Sequence, residues 1–141
     1  MAHYIFNLAG GDESPVLHER AAGLLRAGMW GVDAAESHGS ALVAGDLVLI
    51  YLAAPARELV GHAVLASAVH DWSPSEARAY PGDSPGGVLL AQVEEWHPPV
   101  PMSAVLSQID TSEGARADFE AGVVRITANE YVTALAVAAG R

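Results

Sequence analysis

The segment Gly45-Asp46-Leu47-Val48-Leu49-Ile50-Tyr51-Leu52 constrains the fold of this chain more than any other. A Gly-Asp turn opens onto a continuous apolar run, the pattern of a strand buried on both faces or lining a small barrel. It sits in a frame. Upstream lies Met29-Trp30-Gly31-Val32, and downstream lies Leu59-Val60-Gly61-His62-Ala63-Val64. Together these segments predict a small closed β-structure with a large aromatic near its mouth. Such an arrangement suits holding a flat ligand better than breaking bonds.

The flanking sequence supplies helices. Tyr4-Ile5-Phe6-Asn7-Leu8 reads as a first strand ended by Gly10-Gly11. Ser14 is a suitable N-cap, with Pro15 at the first helical position and Glu13 adding negative charge there. Leu17, Ala21, Leu24 and Leu25 share one helical face, and Gly28 is placed to end the helix. Asp33 to Ser40 is polar and reads as a loop or short helix. Leu59 to Val69 reads as a strand in which Gly61 marks a bulge or a close backbone approach. Asp71 to Gly87 is rich in Pro, Gly, Ser and Asp and reads as the longest loop. Val88 to Trp96 is a further strand stopped by Pro98-Pro99 and Pro101, and Ser103 to Ile109 a short helix. Thr111 to Phe119 is polar and carries no clear pattern. Thr127-Ala128-Asn129-Glu130 is a capping box opening a final helix through Ala139. No repeat or linker interrupts residues 1–141, so one domain is expected. Helices at both ends with strands between them predict an α+β fold: a twisted, mostly antiparallel sheet curled toward a barrel, with helices outside.

Composition narrows the function classes. At 141 residues and 51% hydrophobic, the chain can bury roughly two-thirds of its unfolded surface in one core. No apolar run reaches the roughly 18 residues needed to span a bilayer. Met1 to Phe6 has no basic region ahead of its apolar residues and enters a strand pattern, so no signal peptide is expected and cytoplasmic residence is the default. With no cysteine, disulfide and thiol chemistry are excluded. The seven basic residues are all arginine, and the formal net charge is −10. A field of that sign repels a nucleic-acid polymer unless arginines cluster locally.

Signatures of catalysis and metal binding are missing. There is no His-Glu-x-x-His, no Gly-x-Ser-x-Gly and no Walker A. The histidines at 3, 18, 38, 62, 70 and 97 lack metal-ligand spacing. No metal and no cofactor are expected. Glu94 and Glu95 are neighbours on a strand and point to opposite faces, so they cannot serve one substrate as an acid/base pair. The aromatics carry more information. Trp30, Trp72, Tyr80 and Trp96 all fall at element ends or in loops, where a ring is either core or a stacking surface for a planar ligand.

In order and spacing, several segments match a known family. They are Tyr4-Ile5-Phe6-Asn7, Trp30-Gly31-Val32, Leu42 to Tyr51 with its Gly-Asp turn, Leu59 to Val64, and Val124-Arg125-Ile126-Thr127-Ala128-Asn129-Glu130-Tyr131. With them the chain resembles the EVE domains of the PUA-like superfamily, relatives of the YTH and ASCH domains. The resemblance implies a PUA-like barrel with flanking helices and a pocket that takes an extruded, often modified, nucleobase. Carried over by position, Asn7 would face the base edge and Trp30 would form one wall. Gly31 and Val32 would offer backbone groups, Ser40 a further hydrogen bond, and Trp72 or Tyr80 a second wall. The segment after Val32 departs from the family pattern, since Asp33-Ala34-Ala35-Glu36-Ser37-His38 holds two acids and no Arg or Lys.

The expected function is therefore a non-catalytic module that binds a modified nucleobase in DNA, RNA or a free nucleotide or nucleoside. One alternative is an ASCH-like hydrolase of a modified nucleoside drawing on Asp33, Glu36 or His38. Another is an acidic protein-interaction domain.

Overall fold

The apolar run does become a central strand. The structure, a computed structural model, describes residues 1–8, 13–33, 39–108 and 122–140. The Gly10-Gly11 turn, Glu36, His38 and the segment from Thr111 to Phe119 lie outside the described residues. Strand β1 (His3–Leu8) runs parallel to β3 (Leu47–Leu52), in register from His3 opposite Leu47 to Leu8 opposite Leu52. Successive side chains of a strand face opposite ways. Tyr4, Phe6, Leu8, Val48, Ile50 and Leu52 therefore pack on one face, against Leu17, Ala21, Leu24 and Leu25 of helix α1 (Ser14–Ala27). Ile5, Leu49 and Tyr51 pack on the other, against helices α3 (Met102–Leu106) and α4 (Ala128–Gly140). A strand covered on both sides has no solvent face, which is why the run is apolar without alternation.

The other strands extend this pair. They are β2 (Met29–Gly31), β4 (Glu58–Leu65), β5 (His70–Asp71), β6 (Gly86–Pro101) and β7 (Val123–Ile126). The sheet of seven described strands runs β2-β6-β4-β3-β1-β7, with β5 also on β6. All described pairings except β1 with β3 are antiparallel. The sheet curls into a half-barrel, with α1 against one face and α3 and α4 against the other. This is the α+β class expected from the sequence. Among the described residues no helix is long and apolar enough to cross a membrane.

Several local expectations shift. Helix α1 begins one residue early, with Glu13 in the cap position and Pro15 in the first turn. Gly28 takes a left-handed φ of 69° and closes the helix, its N–H meeting the carbonyls of Leu24 and Leu25. The expected stop at Pro98-Pro99 does not end β6. Leu59 pairs with Val100 and Gly61 with Glu95, so a bulge on β6 absorbs both prolines where the ladder needs no N–H. Gly61 makes that bulge possible, because a side chain there would collide with the Glu94 carbonyl. The presumed long loop holds β5 and a short helix α2 (Pro74–Ala79). Its capping box joins the Ser73 hydroxyl to the Glu76 N–H and the Glu76 carboxylate to the Ser73 N–H. The box at Thr127 and Glu130 forms as expected.

Candidate functional site

Where β1 ends, β2 ends and α1 passes over them, the structure opens a cleft of about 210 Å³. Its floor is Leu8 and Leu24. Glu19, Arg20 and Gly23 of α1 form one side, Gly31 the back, and Tyr80-Pro81-Gly82-Asp83 the far side. The helical period explains the α1 contribution. Leu17, Ala21 and Leu24 point into the core, so Arg20 and Gly23 flank that stripe and reach the rim. Gly23 leaves that side open, since a Cβ there would find no atom within 4 Å.

Tyr80 forms the aromatic wall. Its hydroxyl is hydrogen-bonded to the Gly31 backbone, and its ring lies so close to Gly82 that a Cβ there would sit 2.8 Å away. Trp72 supports the ring from behind at 5.0 Å between centroids, tilted by 40°. The Trp72 indole N–H is committed to the Ser84 carbonyl at 3.0 Å. Burial raises the Tyr80 phenol above its ordinary pKa. The Gly31 backbone opposes this, Asp83 adds to it and Arg20 opposes it. At neutral pH the wall is thus an uncharged phenol beside one cation and two anions.

The residues expected at the site fall into separate groups. Gly31 and Tyr80 line the cleft, and Trp72 buttresses Tyr80 without reaching the lining. Trp30, expected as a wall, is 4% exposed and stacks on Phe6 at 6.2 Å within the core. Val32 is buried, and its N–H already donates to the Gly86 carbonyl. Ser40 lies exposed in a short 3-10 turn (Gly39–Ala41) away from the cleft lining. Asn7 is buried, its N–H donates to the Gly122 carbonyl, and strand alternation puts its side chain on the face of Ile5, opposite Leu8. Sequence reasoning missed Glu19, Arg20, Gly23 and Asp83. The available signal was Gly23, a glycine in the interior of a helix that its neighbours would form better with alanine.

A polar cluster occupies the opposite face of the sheet. The Tyr131 hydroxyl and His62 Nδ1 share a hydrogen bond at 3.1 Å, and His62 Nε2 lies 3.4 Å from the Glu94 carboxylate. Glu94 also accepts from the Trp96 indole at 3.0 Å. Glu95 turns the other way, toward Arg26 and His97. Burial, with Glu94 adding to it, pushes the Tyr131 phenol up to about 12. Among the described residues no three His, Asp or Glu side chains come together to hold a metal ion.

Solved structures share this architecture. A hypothetical protein from Leishmania major matches with a TM-score of 0.67 at 15% identity, over 99% of this chain and 96% of its own. Rpa0253 from Rhodopseudomonas palustris matches with a TM-score of 0.66 at 19% identity, over 99% and 94%. A Tyr-to-Phe variant of the ASCH protein from Zymomonas mobilis matches with a TM-score of 0.59 at 12% identity, over 96% and 98%. The likeness spans whole chains and shows the fold, an α+β half-barrel of the kind seen in that ASCH protein. No family model matches the chain, and no curated protein matches it either.

Proposed function

We propose that the chain is a non-catalytic binding module that takes a single planar base, modified or not, into the cleft between α1, β2 and the Tyr80–Asp83 segment. One observation carries this reading: Gly31 and Tyr80, two positions that the resemblance to EVE domains marks for base binding, meet in one cleft. Size supports it. About 210 Å³ falls below the roughly 300–1,000 Å³ of pockets for drug-sized ligands, which fits one ring system with a small substituent. The chemistry supports it too. A ring face at Tyr80 offers stacking, and Glu19, Arg20 and Asp83 offer acceptors and donors to a base edge. Two acids against one arginine at the rim, on a chain of net charge −10, favour a free nucleoside or a base on a short single strand over a long duplex.

The test is a thermal-shift and tryptophan-fluorescence screen against modified nucleosides, their monophosphates and short oligonucleotides, at low and physiological salt. A ligand at a hundred times its Kd should stabilise the fold by about 2.7 kcal/mol. Its affinity should change little with salt if it is a nucleoside, and fall steeply if phosphates are bound. Gly23→Leu should fill the cleft and weaken binding at least tenfold while the melting temperature holds. Full affinity in that variant would place the ligand elsewhere.

A further inference from the structure

Helix α2 has no buried residue, so apolar packing of its own does not hold it to the sheet. The segment from β5 to Tyr80 is anchored at its start by the β5–β6 ladder and by the Trp72 N–H on the Pro85 carbonyl, and beyond that by a few side-chain contacts. Trp72 bonds the Ser84 carbonyl, Tyr80 bonds Gly31, and His70 of β5 reaches Glu76 in α2. The last of these can be broken by one proton. His70 Nδ1 lies 3.0 Å from the Ala68 carbonyl oxygen, while Nε2 lies 3.1 and 3.2 Å from the two Glu76 carboxylate oxygens. Both ring nitrogens thus face acceptors. A neutral imidazole has one N–H and can satisfy only one of them. The imidazolium satisfies both.

The same ring connects to the cleft. His70 sets its edge against Trp72 at 5.5 Å and 89°, and Trp72 packs on Tyr80, whose own N–H bonds the Glu76 carbonyl. We infer that His70 is a proton-operated latch on the aromatic wall of the cleft: its imidazolium ties β5 to α2, and loss of the proton loosens the segment that carries Tyr80. When the proton leaves, Nδ1–H can stay on the Ala68 carbonyl. The bare Nε2 then meets the Glu76 carboxylate lone pair to lone pair. The Ser73–Glu76 capping box remains, but α2 loses its tether to β5 and its turn opens more often.

The charged groups acting on His70 among the described residues are Glu76 from α2 and Asp71 beside it on β5. His70 is held above its ordinary pKa of 6.5, first by the Ala68 carbonyl, with burial opposing and Glu76 and Asp71 adding. Glu76 is held below the ordinary 4.5, first by the Ser73 N–H and then by His70. The signs define the window. The latch is complete below 6.5 and opens as pH rises through the raised His70 value; at the acid end it fails as pH falls through the lowered Glu76 value.

No ligand is needed for the test, so the latch and the base-binding reading can fail separately. Imidazole NMR shifts give the His70 titration, and hydrogen exchange gives the protection of the Ala77 and Tyr80 amides, which bond the Ser73 and Glu76 carbonyls. Corrected for intrinsic exchange, their protection should drop several-fold as pH passes the His70 titration, and His70→Asn should abolish that step. Glu76→Gln keeps a capping-box side chain while removing the charge, so His70 should titrate lower and the step should move with it. If α2 is frayed at every pH in His70→Asn, the Glu76→Gln protein decides. A flat protection profile across the His70 titration, or a step that ignores either substitution, overturns the latch.

Discussion

Single side chains in this molecule divide between those that shape the cleft and those that hold the core beneath it. Gly31 belongs to the first kind. A Cβ there would strike the Tyr80 hydroxyl and come within 2.7 Å of the Ser84 Cβ. Gly31→Ala should push the Tyr80 segment outward, lowering ligand affinity and shifting Trp72 fluorescence more than it lowers the melting temperature. Trp30 belongs to the second kind, and Trp30→Ala should cost about 3–5 kcal/mol in urea unfolding by the cavity it leaves under Phe6. A loss well below 1 kcal/mol would mean that the indole is not a core residue. Gly23→Ala tests the open α1 side of the cleft. It should leave the fold intact or gain up to about 1 kcal/mol of helix stability, because the added methyl meets no atom within 4 Å. These placements show why the lining of the cleft was only partly legible. A Trp beside a turn reads the same whether its ring points in or out, and only the packing of Phe6 decided it.

At the scale of elements, local signals in the sequence were reliable where they satisfy backbone groups and unreliable where distant partners do so. The Thr127 capping box could be read directly because its bonds run between neighbours. Thr127→Ala should cost about 1 kcal/mol, measured as a shift in urea midpoint. The same motif at Ser73 and Glu76 was hidden inside a segment whose Pro and Gly content reads as loop. Strand β6 shows the converse. Two prolines look like a stop, yet β4 tolerates them because the bulge opposite Gly61 removes the need for their N–H groups. Gly61→Ala would force the Glu94 carbonyl away and undo that register. It should be among the most destabilising substitutions outside the apolar core, and near-normal stability in that variant would refute the bulge.

For the whole molecule, pH and charge are the accessible variables. Tyr131 is stabilised as a neutral phenol, with its pKa pushed up to about 12. A raised value contributes stability that is full below about 10, the unfolded value, and disappears as pH climbs from there toward the folded one. Solvent screening keeps the contribution below the roughly 3 kcal/mol that the full shift would give. Urea midpoints should therefore drop between about pH 10 and about pH 12. Tyr131→Phe should flatten the drop while losing about 1 kcal/mol near neutrality for the bond to His62. An equal alkaline drop in Tyr131→Phe would assign the effect to other groups. The sequence by itself determined the α+β class, the central strand, the terminal helices and the acidic field, because periodicity, caps and net charge are properties of neighbouring residues and of sums. Tertiary structure decided that Tyr80 and Gly31 share a cleft with Arg20 and Gly23, that Trp30 does not line it, and that His70 meets Glu76. Those outcomes depend on which faces the curling sheet and α1 turn toward each other, and no local pattern encodes that angle.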